Sequence, residues 1–467
     1  MKSKLVFSTV AVMTSLMGCG APTRPPASTG GATSTGGTSA SGGSVADTGG
    51  TKNGGATNSG GAVGQGGNTD ATGGTSTGSG GATGSGGSTK TGGVTSSGGA
   101  TATGGATGSG GATATGGATG SGGAAVTGGT AAGTGGTVAT GGSSGVTGPC
   151  DIYQAASTPT PCVAAHSTVR ALYGSYAGAL YQLRRKSDGT LKDVPVKAPG
   201  GFVDIAVQNT FCAGTTCTIS ILYDQSPKKN DLKKAPVAVW LKSGANEANA
   251  ALAEIKVGGN TVHGIYVDNG NNPATDVGYR NNDAVGLATG DEPQTIYMVL
   301  DGTRYSGICC FDYGNAGKSG TDEGKSTMEA IYWGNSTLWS KGGGPGPWVS
   351  ADLEVGMYQG DSTNTPSNTS VTGMSYVTAM LKGYPGDKMG LKAGNAQSGK
   401  LETKWDGKRP PGYSPMKKVG AIILGTGGDG SSYGKGTYFE GCITTGVATN
   451  ETDELIQANI VAAGYGK

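Results

Sequence analysis

Histidine is nearly missing from this 467-residue chain, which has two, His166 and His263. A Ser-His-Asp or Cys-His nucleophile would have to use one of them, and neither lies near a GxSxG elbow. HExxH, GxxxxGK[ST] and a GxGxxG opening a helix are all absent, which leaves metalloprotease, P-loop and dinucleotide chemistry without a motif. CxxC is absent too, so no metal ligand set is evident and no cofactor is expected. Charge is sparse: 14% of residues are charged, the net charge is +2, and no basic cluster occurs, which argues against nucleic acid and acidic partners. The apolar run at the start, Leu5 to Met17, is too short and wrongly flanked for a membrane-spanning helix.

That run follows a short basic region, Lys2 and Lys4, and ends Leu16-Met17-Gly18-Cys19. Leu at −3 and Gly at −1 before Cys resemble a bacterial lipoprotein signal. The resemblance implies a signal over residues 1–18, lipidation of Cys19, and export to the surface of a bacterial cell envelope, with the membrane met through the lipid alone.

Aromatic residues are absent from Pro22 to Thr147, and five charged residues occur there: Arg24, Asp47, Lys52, Asp70 and Lys90. The rest is Gly, Thr, Ser and Ala. One twelve-residue unit, GGATATGGATGS, runs from Gly98 to Ser109 and again from Gly110 to Ser121. It lacks the every-third-glycine period of collagen, and no repeat contains a residue that could build a core. Residues 19–147 are therefore expected to be a disordered tether, spanning roughly 60 Å as a flexible coil.

Composition shifts at Gly148-Pro149-Cys150, and all five Trp and all eighteen Tyr lie beyond it. Residues 148–467 can bury a sizeable core and read as one all-β domain, a sandwich or barrel. Strands are expected at Thr218–Tyr223, Val237–Leu241, Gln294–Leu300, Glu329–Trp333, Trp348–Tyr358, Tyr376–Leu381, Ala421–Leu424 and Thr437–Thr444. Thr168–Arg185 is ambiguous. Thr452–Ala463 reads as a helix capped by Thr452 and ended by Gly464. In an exported protein the short spacings Cys150/Cys162 and Cys212/Cys217 read as local disulfides. For Cys309 and Cys310 the residues alone leave three options: a mutual bond, free thiols, or pairing with the leftover Cys442.

With His scarce, carboxylates remain as acid, base and nucleophile. In a strand over Trp348–Tyr358, residues two apart share a face. Asp352 and Glu354 would then stand side by side, with Leu353 and Val355 opposite. Like charges so placed raise each other's pKa, which suits one wall of a hydrolytic cleft or merely a solvated outer face. Asp429 follows the apolar run Val419–Leu424 and lies in Gly425-Thr-Gly-Gly428-Asp429-Gly430. Small neighbours let a ligand approach the backbone closely, although Asp in a glycine turn is common. Two carboxyls in an aromatic-rich domain are the setting for glycoside hydrolysis.

Further stretches are more specific: PCVAAHSTVRALYGSYAGALYQL, TFCAGTTC, GYRNN, CCFDYGNA, MEAIYWGNSTLW, GPW and GAIILGTGGD. From Gly148 onward they resemble the catalytic domain of the α-L-arabinofuranosidase B enzymes, glycoside hydrolase family 54. The resemblance implies a concanavalin-like β-sandwich, or jelly roll, that hydrolyses with retention. It implies Glu354 as nucleophile and Asp429 as acid/base. It places Asp352, Trp339, Gly428 and a Cys309–Cys310 disulfide around the bound arabinose. The implied activity is exo-acting release of terminal arabinofuranose from arabinan or arabinoxylan side chains, by a monomer whose partner is an arabinose-containing plant polysaccharide. A non-catalytic carbohydrate-binding β-sandwich is the alternative. The family often has Asn-Asn after the nucleophile, where this chain has Val355-Gly356, so side-chain contacts to the sugar are expected to be lost there. Fungal members also carry a C-terminal arabinose-binding β-trefoil, and this chain is expected to meet polysaccharide without one.

If the repeats are only a tether, deleting Pro22 to Thr147 should leave the melting temperature of the remaining domain unchanged in a thermal scan. A large fall would show that the repeats contribute core contacts.

Overall fold

The computed structural model describes residues 147–269 and 276–467. The expected signal, Cys19 and the repeats lie outside the described residues. Two antiparallel sheets carry the domain, a β-rich architecture consistent with a sandwich, with three helices among the described residues. The seven-stranded sheet runs Cys162–Ser167, Lys435–Thr445, Gln294–Asp301, Tyr376–Gly383, Lys388–Asn395, Glu402–Lys408, with Ile265–Asp268 also paired to Lys435–Thr445. The eleven-stranded sheet starts at Met357–Tyr358 and continues through Trp348–Asp352, Glu329–Gly334, Asp312–Ala316, Ala421–Leu424 and Tyr279–Asn281 toward Leu191–Pro195.

The two sheets meet where Glu329–Gly334 and Trp348–Asp352 pack on Tyr376–Gly383 and Lys388–Asn395. Core strands with both faces covered read as apolar runs: Ile296 through Leu300, in Gln294–Asp301, and Ile331 through Trp333 are all buried. Several charged groups inside are paired. Arg170 donates from Nε and Nη2 to the two Glu440 oxygens, each at 2.7 Å. Arg409 donates to Glu329 at 2.6 Å. The helix Asn450–Ala463 is held to the smaller sheet by Asp453, which accepts from Lys382 at 2.6 Å and Lys392 at 2.7 Å.

Most expected strands form, with ends shifted by one or two residues. The ambiguous Thr168–Arg185 stretch ends in a strand, Ala179–Arg185. The helix cap is Thr449 rather than Thr452; its hydroxyl accepts from the Thr452 N–H at 3.2 Å, and Gly464 closes the helix at φ 79. Val237–Leu241 is not a strand. Its backbone is spent on loops: Val239 N–H donates to Gly320 and Trp240 N–H to Asp429. Cys150 is bonded to Cys162, Cys212 to Cys217, and Cys309 to Cys310, while Cys442 is free and buried. No helix among the described residues is long and apolar enough to cross a membrane.

Candidate active site

The eleven-stranded sheet ends in a tight hairpin, and the site is built on its turn. Trp348–Asp352 pairs back on Met357–Tyr358, with Ala351 opposite Tyr358 and Asp352 opposite Met357. Four residues, Leu353 to Gly356, reverse the chain, and the Leu353 N–H donates to the Gly356 carbonyl at 3.0 Å. The two central residues, Glu354 and Val355, have φ of 60 and 58. Positive φ at both central positions is the requirement of a two-residue hairpin whose twist matches its strands. Asp352 starts the reversal: its Oδ1 accepts the Glu354 N–H at 3.0 Å, an Asx-type bond two residues on.

The expected strand through Tyr358 is therefore broken, and Asp352 and Glu354 do not share a face by strand alternation. They are neighbours through the turn. No glycine or proline stands at its centre to signal it. A β-branched residue at positive φ is a genuine outlier, worth of order 1–3 kcal/mol of strain. The surroundings hold it: Tyr413 Oη donates to the Val355 carbonyl at 2.8 Å, and Ser326 N–H donates to the Leu353 carbonyl at 2.9 Å.

The opposite wall comes from the end of Ala421–Leu424. The chain leaves that strand at Gly425 (φ 78) and folds back so that the Asp429 Oδ1 accepts the Ser431 N–H at 2.9 Å. Gly428 lies against Glu354; a Cβ there would collide with Glu354 Oε2 and approach Met328 Sδ. Buried Arg280 fastens this loop from behind. It donates from Nη1 to the Gly428 carbonyl at 2.6 Å and from Nη2 to the Gly317 carbonyl.

Between these walls is a cleft lined by Cys309, Trp339, Asp352, Glu354, Gly428 and Asp429 among others. Of the residues expected around the sugar, Cys309, Trp339, Asp352, Glu354, Gly428 and Asp429 line it, while Cys310 is fully buried behind it with its Sγ 3.7 Å from Asp352 Oδ2. Cys309, Cys310, Tyr332 and Met357 form one buried apolar cluster, and half-buried Trp339 packs against it. Ser431, Asp322, Val355 and Gly356 also line the cleft. Sequence reasoning missed Arg280, Asp322 and Asp312. The motifs containing Arg280 and Asp312 had been picked out, but nothing in their spacing shows that distant strands converge behind the cleft.

The electrostatics are those of crowded, buried carboxyls. Burial, then Asp352 and Asp429, push the Glu354 carboxyl up to about 9, and Arg280 opposes them. Burial also pushes Asp352 up to about 7, against the Glu354 N–H that favours its charged form. Such clusters are where proton transfer and nucleophilic chemistry are found.

Comparison with known proteins bears on this geometry. The family model described as α-L-arabinofuranosidase B, catalytic, matches residues 149–466. An α-L-arabinofuranosidase B of Aspergillus niger is 48% identical over 324 residues, covering 68% of this chain and 63% of the relative. A probable α-L-arabinofuranosidase B of Aspergillus terreus is 48% identical over 324 residues, covering 68% and 62%. The chain thus spans under two thirds of these relatives' length. Among solved structures, a GH54 α-L-arabinofuranosidase soaked with a cyclic sulfate inhibitor is 48% identical, with a TM-score of 0.65 over 68% of this chain and 66% of that one. An arabinofuranosidase complexed with arabinofuranosyl-α-1,2-xylobiose is 47% identical with the same score and coverage.

These findings overturn the bacterial lipid anchor. The relatives are fungal proteins of Aspergillus and Emericella, not lipoproteins of a bacterial envelope, so neither a membrane partner nor an envelope location is supported. The expectation rested on three positions around Cys19, and in so glycine-rich a chain a Gly before Cys carries little information.

Two outcomes follow from the turn and its charges. Val355→Asn should raise stability by about 1 kcal/mol, since Asn tolerates positive φ and Val does not; a lower urea midpoint would contradict this. Asp429→Asn removes a charge that raises Glu354, so the Glu354 titration followed by carboxyl carbon NMR should move down from about 9. An unmoved or higher titration would show that Asp429 does not act on Glu354.

Proposed function

The chain belongs to the α-L-arabinofuranosidase B catalytic family, and from that premise we propose that it is a retaining, exo-acting α-L-arabinofuranosidase that releases terminal arabinofuranose from arabinan or arabinoxylan side chains. The observation that carries this reading is the meeting of Glu354, on a fixed hairpin turn, with the Gly428-Asp429 loop across one small cleft. The domain reading is residues 148–467 as a concanavalin-like jelly roll, supported by the antiparallel order of its two sheets, behind a tether at 19–147 and a signal over 1–18.

In this reading the apolar ledge of Cys309–Cys310, with Trp339, packs on the sugar ring, and Asp352 accepts from its hydroxyls. Val355 and Gly356 present no hydrogen-bonding side chain to it. Glu354 attacks the anomeric carbon as its carboxylate, forming a glycosyl ester while the bond to the leaving oxygen breaks. Asp429 gives its proton to that oxygen. A water molecule then loses a proton to Asp429 and displaces Glu354 from the sugar, so two inversions give net retention.

The crowded carboxyls favour this assignment of protons. A charge on Asp429 opposes ionisation of Glu354. A proton on Asp429 removes one of the contributions that raise Glu354, after burial and Asp352, so it lowers the cost of ionising the nucleophile. Arg280 adds positive potential on the same side.

Glu354→Gln should abolish turnover on every substrate. Asp429→Asn should instead depend on the leaving group, because general-acid help is worth roughly 10²–10⁴-fold and matters least where the leaving oxygen is already a weak base. Its rate on arabinan should collapse while a dinitrophenyl arabinofuranoside retains most of its turnover. Equal losses on both substrates would remove Asp429 from the acid role. A wild-type protein inert toward every arabinofuranoside would sink the functional reading.

A further inference from the structure

We propose that Asp312 is a protonated carboxylic acid that donates a hydrogen bond to Asp352 and so holds Asp352 as a fixed acceptor beside Glu354. The positioning role rests on the arabinofuranosidase reading above; the location of the proton does not.

The sheet puts the two groups together. Asp312 opens the strand Asp312–Ala316, opposite Tyr332, which is itself opposite Ser350. Gly314 is opposite Ala330, and Ala330 is opposite Asp352. Paired residues in antiparallel strands share a face, as do residues two apart. Asp312 and Asp352 therefore lie on one face, two strands apart and offset by two residues. The positions between them along the Asp352 row are Gly314 and Ala330. Small residues there leave the space through which the two carboxyls come within hydrogen-bonding reach of each other.

The chemistry then assigns the proton. Two ionised carboxylates only accept, so a bond between them requires one to be protonated. Asp352 already serves as an acceptor, taking the Glu354 N–H on Oδ1. Asp312 is fully buried, and among the described residues no N–H or hydroxyl reaches either of its oxygens. The charged groups that face it are Asp352, Glu354 and Asp429, all carboxyls. Arg280 is committed to carbonyls at Gly428 and Gly317 and to Asn282 Oδ1. An ionised Asp312 would be a buried charge with no partner, which proteins avoid by neutralising the group. Burial, and then Asp352, push its carboxyl well above the usual range, in agreement with the geometry.

This arrangement does two things for the site. It spares Glu354 a further negative charge at its back. It also supplies Asp352 with a donor, so the Asp352 carboxylate keeps one orientation whether or not a sugar is bound. Asp312 is thus a positioning residue.

The test has two arms. In infrared difference spectra of the full-length protein, one protonated-carboxyl C=O band should persist above the pH at which ordinary carboxyls ionise, and that band should be lost in Asp312→Asn. Absence of the band, or its survival in Asp312→Asn, overturns the proposal. In kinetics, Asp312→Asn retains a donor to Asp352 and should keep kcat/KM for an aryl arabinofuranoside within about threefold. Asp312→Ala should raise KM by about tenfold or more, the scale of a hydrogen bond to a charged group, with a smaller change in kcat. If Asp312→Asn melts like wild type yet is as impaired as Asp312→Ala, donation to Asp352 is not its role. A wild type that cleaves no arabinofuranoside but shows the band would refute the function and leave the buried proton standing.

Discussion

Like-charge repulsion among buried carboxyls is the constraint on which the rest of this site depends. Asp312, Asp352, Glu354 and Asp429 act on one another, and the cation that acts on Glu354, Arg280, forms no ion pair with any of them among the described residues. The arrangement is tolerable because protons occupy some of these carboxyls. Glu354 binds its proton more tightly in the folded state than in the unfolded chain, about 9 against 4.5. That contribution favours folding fully below the unfolded value and is lost as pH rises through the folded one. The cleft therefore draws on stability supplied elsewhere, by the two-sheet core and by buried pairs such as Arg170–Glu440.

Holding repelling groups together requires backbone that does not relax. The hairpin turn at Glu354–Val355 does this on one side, in a conformation that side chains other than Asn, Asp and Gly rarely adopt. The Gly428-Asp429 loop does it on the other, pinned by Arg280 behind and by the Trp240 N–H on the Asp429 carbonyl. Aim is thereby set by main-chain geometry rather than by long side chains, which suits reacting groups that must stay within a narrow range of positions.

Much of this was legible in the sequence. Alternation and apolar runs marked strands such as Gln294–Asp301 and Ala421–Leu424, because packing on both faces writes itself into residue type. The motifs around Cys309-Cys310, Trp339, Glu354 and Asp429 named the residues that the fold gathers. What escaped was conformation that residue type does not announce. Nothing in Ala-Asp-Leu-Glu-Val-Gly says that the strand stops at Asp352, since Glu and Val are poor residues for positive φ. Val237–Leu241 looks like a strand and instead props the loop of Asp429, a tertiary demand invisible locally. Asp312 and Arg280 act through register across several strands, which one sequence does not display.

The central claim is that Glu354 forms the covalent bond to the sugar. An arabinofuranosyl analogue that forms a slowly hydrolysed ester with the catalytic carboxylate tests it most directly. After brief incubation and proteolysis, mass spectrometry should find the added sugar on the peptide containing Trp348–Tyr358, with fragmentation placing it on Glu354. A label on Asp352 or Asp429, or hydrolysis that gives the inverted anomer with no covalent species, would contradict the account.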